Sequence, residues 1–385
     1  MKQVNYLELK QVIKRHYSTK LSLMIHGKIG VGKSSLVKET AEEIAKEKNK
    51  EFIEWNKTTQ KEKRDLLENS KGKFIFADFR ISLKDPTDLT GLPNFFDGVV
   101  EWKPNLLFKV FENKDTDGIL FFDELPNAQT STQLATYQLI LDKAIGEISL
   151  NENIGIVCAG NLAEEVSSIF EMPEALRDRM MHVELDSDSK DWIEWALNND
   201  IEHDIIGFIS WKPNRLYSFD RKNKDFAFAT RRKWAMCSKL IKEVDSIKEK
   251  EILISSAVGE GIALELMTFL KLKNKLDIDE LLEKPEKIKQ IEKVDEIYAV
   301  IGSISERYNK NPKILKQVIE ICRNLEPEYS IILLKYLLSI DKAKHLKENK
   351  LKVGDAGYRK YLSQFTKDII DAKGEDLVKH YSIYF

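Results

Sequence analysis

A glycine-rich octapeptide near the amino terminus carries residue types suited to binding a polyphosphate. It reads Gly27, Lys28, Ile29, Gly30, Val31, Gly32, Lys33 and Ser34, and Ser35 follows it. Its glycines permit backbone conformations closed to other residues, so successive N–H groups can point at one anion. Lys33 would reach the β- and γ-phosphates, and the Ser34 hydroxyl would bind Mg²⁺. The octapeptide therefore predicts a nucleotide-phosphate site at residues 27–35.

A pair of carboxylates lies at the end of an apolar run. Residues 118–122 are followed by Asp123 and Glu124. Open α/β sheets bind ligands at the carboxyl ends of their strands, so these acids are expected beside the phosphate loop. Asp123 could hold Mg²⁺, and Glu124 could orient or deprotonate an attacking water. Without the phosphate loop upstream, ordinary turn residues would explain the two acids equally well.

An amide and two arginines complete the candidate site. Asn161 follows the apolar run 154–158 and could contact the γ-phosphate or the attacking water. Arg177 and Arg179 come just before the apolar run 180–185. A guanidinium is permanently charged and rigid, which suits the stabilisation of phosphoryl-transfer charge across a subunit boundary. The alternative is an exposed arginine paired with a neighbouring carboxylate.

The elements that must position these groups alternate between strand and helix patterns. Helices are predicted at 6–16 and 35–48, and strands at 21–25, 73–81, 119–122, 154–158 and 180–185. This alternation predicts an α/β core with a mainly parallel sheet over residues 1–186. The charge-dense region 46–73 is interpreted as a solvated helical excursion. The later pattern predicts a helical lid over 187–274 and a helical C-terminal region over 275–385.

The bulk composition limits the class of protein. The 385 residues include 61 basic and 63 acidic ones, and a net charge of −2 argues against direct nucleic-acid binding. The three cysteines, Cys158, Cys237 and Cys322, lie in apolar segments and are expected to be buried free thiols. Neither they nor the six histidines have the spacing of a zinc site. The amino terminus has no apolar leader, and Lys335 interrupts the longest apolar stretch, so we expect a cytoplasmic protein without membrane contact.

Together these motifs resemble the AAA+ ATPases, and specifically the MoxR-like branch that also includes dynein-type and McrB-type relatives. Five elements occur in the family order: the P-loop, segment 85–93 with Trp102 beyond it, the Walker B segment 123–128, the sensor 1 segment 159–161 and the arginine-finger segment 173–180. Segment 85–93 reads D-P-T-D-L-T-G-L-P. In the family it precedes a β-hairpin, and residues 95–102, with Asp97 and Gly98 as the turn, are the candidate here.

The resemblance implies the activity and ligands of a P-loop ATPase. ATP would bind on the loop, with Mg²⁺ held by Ser34 and Asp123. Lys33 and Glu124 would act in catalysis, and Asn161 would position the attacking water. The substrate of the enzyme would then be ATP, hydrolysed to drive a change in a protein partner.

The resemblance also implies an assembly. Family members form homo-oligomeric rings, commonly hexamers, and often act with proteins that bear a von Willebrand A domain. Arg179 matches the finger position better than Arg177 and would complete the site of the adjacent subunit. The sensor 2 arginine of the lid matches Arg232, although Arg231 stands where the family usually has proline.

Other functions compete with this one. A McrB-like motor of a nucleic-acid-processing complex would use GTP, and residues 274–277 match the guanine-reading N-K-x-D signature. They follow a helical pattern rather than a buried strand, so coincidence is favoured. A scaffold that binds nucleotide without turnover is disfavoured by the intact Glu124 and Asn161. The apolar stretch 331–338 is a core helix or a docking surface, with the core favoured.

Overall fold

The computed structural model describes residues 1–162, 165, 170, 172–186, 188–222, 225–348, 366–371, 374 and 376–378. The chain forms two compact units, Met1–Ser187 and Asp188–Phe385. Buried apolar side chains form two clusters in the first unit and one in the second. Each unit therefore has a core of its own.

The first unit is built on β-strands. Those described are β1 (Lys2–Val4), β2 (Leu23–Gly27), β3 (Glu51–Glu54), β4 (Lys73–Arg80), β5 (Leu92–Phe96), β6 (Val99–Lys103), β7 (Asp117–Asp123), β8 (Ala144–Ile145), β9 (Ile148–Ser149), β10 (Ile154–Asn161) and β11 (Met181–Leu185). Seven of them form one parallel sheet in the order β1-β11-β2-β10-β7-β4-β3. Strands β5 and β6, and likewise β8 and β9, form antiparallel pairs.

Helices cover both faces of this sheet. Those described in the first unit are α1 (Tyr6–Thr19), α2 (Lys33–Glu47), α3 (Gln60–Asp65), α4 (Pro86–Thr90), α5 (Leu106–Glu112), α6 (Thr130–Ala135), α7 (Tyr137–Asp142) and α8 (Glu174–Asp178). Side chains alternate along each strand, so Phe121 packs with α1 and α2 while Phe122 packs with α5 on the opposite face. The predicted α/β core with a parallel sheet is confirmed.

Two edge strands were not predicted. β1 has three residues, and β3 lies inside the charge-dense region 46–73 that was interpreted as helical. That interpretation is wrong for residues 51–54, although the short helix α3 follows them. Because an edge strand pairs on one side only and is half exposed, charged residues such as Glu51 and Glu54 are tolerated in it.

The predicted hairpin is confirmed as β5 and β6, with Phe95 opposite Val100. Its turn residues Asp97 and Gly98 have φ of 48° and 78°, as a two-residue type I′ turn requires. At its base Gly91 has φ of 93°, and a Cβ there would lie 2.5 Å from the Lys103 carbonyl oxygen. The glycine of segment 85–93 therefore lets the two ends of the hairpin close.

The second unit is helical. Its described helices are α9 (Ser189–Asn198), α10 (His203–Trp211), α11 (Arg231–Ile241), α12 (Ile247–Val258), α13 (Glu260–Lys273), α14 (Ile278–Glu283), α15 (Val294–Lys310), α16 (Leu315–Asn324) and α17 (Pro327–Glu348). Leu333, Leu334 and Leu337 of α17 are fully buried, so the apolar stretch 331–338 is core. No helix in the described part of the chain is long and apolar enough to span a bilayer.

Two further expectations concern this unit and the cysteines. All three cysteines are buried free thiols, as predicted. The N-K-x-D match lies between helices, since Asn274 ends α13 and Asp277 caps α14. A guanine-reading signature follows a core strand, so this context supports coincidence.

Candidate functional site

Three neighbouring strands of the sheet deliver the candidate residues to one edge. β2 runs into the phosphate loop, β7 ends at Asp123, and β10 ends at Asn161. β10 lies between the other two, with Asn161 in register with Gly27. Because all three strands are parallel, their carboxyl ends meet at the place where this class of sheet binds ligands.

The phosphate loop has the backbone of an anion site. Gly30 and Gly32 have φ of 69° and 106°, values that side chains with a Cβ rarely adopt. Gly32 is also the residue that caps α2, which begins at Lys33, and Ser35 follows on the exposed side of that helix. The loop thus leads directly into a helix amino terminus, where free N–H groups and the helix dipole favour an anion.

Lys33 lies buried at the centre of the site. Its ammonium donates hydrogen bonds to the carbonyl oxygens of Gly27 at 2.8 Å and Lys28 at 3.0 Å, and to the side-chain oxygen of Asn161 at 2.9 Å. These three acceptors satisfy the charged group in the interior. The structure therefore brings Lys33 and Asn161 together, although the sequence had suggested only that each could contact the nucleotide.

Ser34 and Asp123 form the second contact between motifs. The Ser34 hydroxyl donates to Asp123 Oδ2 at 2.7 Å, and Asp123 Oδ1 accepts the N–H of Glu124 at 3.0 Å. A hydroxyl and a carboxylate side by side are oxygen ligands of the kind Mg²⁺ uses beside nucleotide phosphates. The donor set thus fits the magnesium ion that the motifs imply.

Glu124 has an unusual backbone and an unpredicted partner. Its φ of 60° and ψ of 33° lie in the left-handed region, which is uncommon for a residue with a side chain. The Ser82 hydroxyl, just beyond the end of β4, donates to Glu124 Oε2 at 2.7 Å. Sequence reasoning missed Ser82 because only the sheet order places β4 beside β7.

A third acid, Asp78 on β4, adds to the negative charge at this edge. Burial raises its pKa, and the nearby Asp123 and Glu124 carboxylates raise it further, while Arg80 acts in the opposite direction. The carboxylates at the ends of β4 and β7 therefore repel one another. A bound cation would relieve that repulsion.

A pair of histidines connects the strand before the loop with the arginine segment. His26 Nε2 lies 3.1 Å from His182 Nδ1, and His182 Nε2 lies 2.8 Å from the carbonyl oxygen of Arg177. With both rings neutral, His182 donates to that carbonyl and accepts from His26. Burial lowers the pKa of His26 to about 4, and the neighbouring His182 and Lys33 lower it as well.

The arginines occupy different surroundings. The Arg179 guanidinium lies over the ring of Tyr137, 5.1 Å from its centroid, and donates to the carbonyl oxygen of Ala175 at 2.6 Å. Arg177 is exposed, 3.7 Å from the Glu174 carboxylate. Both lie at the end of α8, where the sequence placed the finger segment.

In the second unit, Arg232 is exposed on the first turn of α11, whereas the neighbouring Arg231 is buried and donates to the carbonyl oxygen of Asp188 at 2.5 Å. The buried arginine thus anchors the start of α11. Arg232, which the resemblance matched to sensor 2, keeps an exposed side chain.

Comparison with known proteins agrees with this geometry. Residues 23–186 match the family model described as ATPase family associated with various cellular activities (AAA). That range begins at β2 and ends just after β11, so it contains the phosphate loop, Asp123, Glu124 and Asn161. A search of curated protein sequences returned no match.

Solved structures with a similar chain have low sequence identity. NtrX from Brucella abortus is 15% identical, with a TM-score of 0.35, and the alignment covers 65% of this chain and 51% of that chain. The ORC2 protein of Aeropyrum pernix is 13% identical, with a TM-score of 0.35, over 87% of this chain and 85% of that one. This chain thus spans about half the length of the NtrX chain.

The family model and the site at the carboxyl ends of β2, β7 and β10, here called the strand-end site, indicate the class of protein. Residues 23–186 of the first unit match the AAA ATPase family, and the phosphate loop lies within that range. The match to this domain supports ATP hydrolysis as its activity.

Proposed function

We propose that this chain is a MoxR-like AAA+ ATPase, which forms a homo-oligomeric ring and hydrolyses ATP between subunits to remodel a protein partner. The proposal rests on two side-chain contacts, which join the phosphate loop to the ends of β10 and β7. Lys33 bonds to Asn161, and Ser34 bonds to Asp123. The hairpin β5–β6, which follows the D-P-T-D-L-T-G segment, supports the MoxR-like assignment.

Each residue of the cluster has a role in this proposal. The N–H groups of the phosphate loop and the Lys33 ammonium bind the phosphates. Ser34 and Asp123 hold Mg²⁺, which supplies charge neutralisation when bound. Glu124 orients and deprotonates the attacking water, and Asn161 positions it. Lys33 exchanges its bonds to the loop carbonyls for bonds to phosphate oxygens.

The remaining parts of the proposal concern assembly. Arg179 acts in the site of the adjacent subunit, and Arg232 senses the nucleotide from the helical unit. By resemblance the ring is a hexamer, located in the cytoplasm, and the partner is a protein such as one with a von Willebrand A domain. The exposed apolar side chains of the hairpin are the surface offered to that partner.

A subunit-mixing experiment tests the shared site. Lys33→Ala and Arg179→Ala variants are each expected to have little ATPase activity alone. In random rings mixed one to one, about a quarter of interfaces join an intact loop to an intact finger, so about a quarter of wild-type activity returns. Mixtures that stay as inactive as the separate variants would show that Arg179 does not act in trans.

Partner capture tests the remodelling role. Glu124→Gln in ATP is expected to hold the assembled ring with its partner bound, which mass spectrometry can score for stoichiometry and for the trapped protein. Nucleotide-independent monomers without a partner would contradict the ring proposal. Competition between ATP and GTP in the same preparation would expose a guanine-specific motor.

A further inference from the structure

The phosphate loop already has an anionic ligand from its own chain. The backbone N–H of Ile29 donates a hydrogen bond to Glu165 Oε2 at 2.7 Å. Glu165 comes four residues after Asn161, in a turn where its own N–H bonds to the carbonyl oxygen of Leu162. The last residue of β10 therefore contacts Lys33, and a residue shortly after β10 contacts the loop backbone.

Both ends of a single peptide group are held by charged side chains. The carbonyl oxygen of Lys28 accepts from the Lys33 ammonium at 3.0 Å, and the N–H of the same peptide, that of Ile29, donates to Glu165. A positive charge at the oxygen and a negative charge at the N–H polarise the peptide in the same direction, which strengthens both bonds. The contact is thus more than a chance approach of a surface acid.

The backbone N–H groups of such a loop are its ligands for phosphate oxygens. A carboxylate oxygen on one of them is chemically equivalent to a phosphate oxygen, because both are anionic acceptors. Two anions cannot keep the same N–H, and a polyphosphate close to Glu165 would repel its carboxylate.

We propose that Glu165 is an internal competitor of nucleotide: its carboxylate occupies the Ile29 N–H in the empty enzyme and must leave for the phosphates to bind. The inference rests on the phosphate-binding role of residues 27–35. Glu165 thereby sets the affinity for nucleotide and favours the empty state. A competitor bound four-fifths of the time raises the apparent Kd about fivefold.

Measurement of nucleotide affinity tests this proposal. Fluorescent ADP with Mg²⁺ is titrated into wild type, Glu165→Gln and Glu165→Ala. We expect the Kd to fall about three- to tenfold in both variants, most in the alanine variant, which offers no acceptor. Glu68→Gln is the matched control, since it removes one exposed carboxylate of the same unit, and its Kd should equal that of wild type.

The outcomes separate this proposal from that of the site itself. If wild type binds ADP and both Glu165 variants bind with an unchanged Kd, the competitor role is wrong while the nucleotide site stands. Weaker binding by Glu165→Ala also overturns it, because Glu165 would then help to hold the nucleotide. Failure of wild type to bind ADP would instead refute the phosphate site.

Hydrogen exchange gives a readout that does not involve nucleotide. In the empty protein the Ile29 amide should exchange faster in Glu165→Ala than in wild type, and saturating ADP should remove most of the difference. An equal exchange rate in the two empty proteins would contradict the contact. Unchanged thermal unfolding of the variant confirms that the difference is local.

Discussion

The side chains of the strand-end site are polar and bond to one another, whereas those of the hairpin β5–β6 include large apolar groups that are exposed. In the site the polar groups bond to one another, with Lys33 on Asn161 and Ser34 on Asp123. On the hairpin, Phe95 is 81% exposed. Ligand binding at the site must therefore exchange existing hydrogen bonds for new ones, which gives a small net gain per bond. Burial of the hairpin gains free energy with each apolar side chain covered.

The largest effect is expected where the site does chemistry. Glu124→Gln should lower ATP turnover about a thousandfold, because a positioned general base contributes about that much, while ADP affinity changes little. Steady-state phosphate release and fluorescent ADP titration measure the two quantities. Glu68→Gln, with the same loss of charge at an exposed position, should keep wild-type turnover. Turnover that survives in Glu124→Gln would favour a scaffold that binds nucleotide without hydrolysis.

Two phenylalanines, one in the sheet and one in the hairpin, allow the effect of the same substitution on stability to be compared. Phe121 on β7 is fully buried, so Phe121→Ala should lower the free energy of unfolding by about 3–5 kcal/mol. Phe95→Ala deletes the same atoms from an exposed position and should change it by no more than about 0.5 kcal/mol. Urea unfolding of both variants measures the difference. Similar losses would mean that the hairpin side chain is covered in solution.

Removal of the buried ammonium is expected to have the next largest effect. Lys33→Ala deletes a charged donor to phosphate worth about 3 kcal/mol, so the Kd for ADP should rise about a hundredfold. The control is Lys38→Ala on the same helix, whose half-buried ammonium pairs with Glu54. Its effect on the Kd should be less than twofold, because its ammonium bonds to Glu54 rather than to the phosphate loop. Equal effects of the two variants would argue against phosphate at Lys33.

The sequence predicts those parts of the site in which polar residues directly follow an apolar strand in the chain. The loop after β2, the acids after β7 and Asn161 after β10 each follow an apolar run, and parallel strands bring such ends together. The central strands were predictable for the same reason, since burial on both faces demands continuous apolar residues. Edge strand β3 carries glutamates, so its residue pattern does not reveal it.

Other groups of the site depend on contacts between distant segments. Ser82 reaches Glu124 only because β4 lies next to β7, and Glu165 reaches Ile29 only through the turn after β10. A lone serine or glutamate in a loop has no distinguishing pattern in the chain. The polar residue two positions after β4 could have been suspected once the order of the strands was known.

The histidine pair offers a smaller, pH-dependent effect, for which the sign follows from the lowered pKa of His26. Its pKa is about 4 in the folded chain and about 6.5 when unfolded, so the unfolded chain binds the proton first as the pH falls. The free energy of unfolding should therefore fall between pH 6.5 and 4. His26→Asn removes this group, and between pH 7 and 5 it should lose about 1 kcal/mol less than wild type does.

Urea unfolding at the two pH values measures this difference. Two groups face His26, namely His182 and Lys33, and both are unchanged in the variant. A His16→Asn variant is the control. Burial lowers the pKa of that histidine as well, and its ring contacts the Leu21 carbonyl oxygen just beyond α1. Its effect should be smaller than that of His26→Asn, since His182 and Lys33 add to burial in lowering the pKa of His26. A His26 variant with the pH dependence of wild type would mean that the ring is hydrated rather than buried beside His182 of β11.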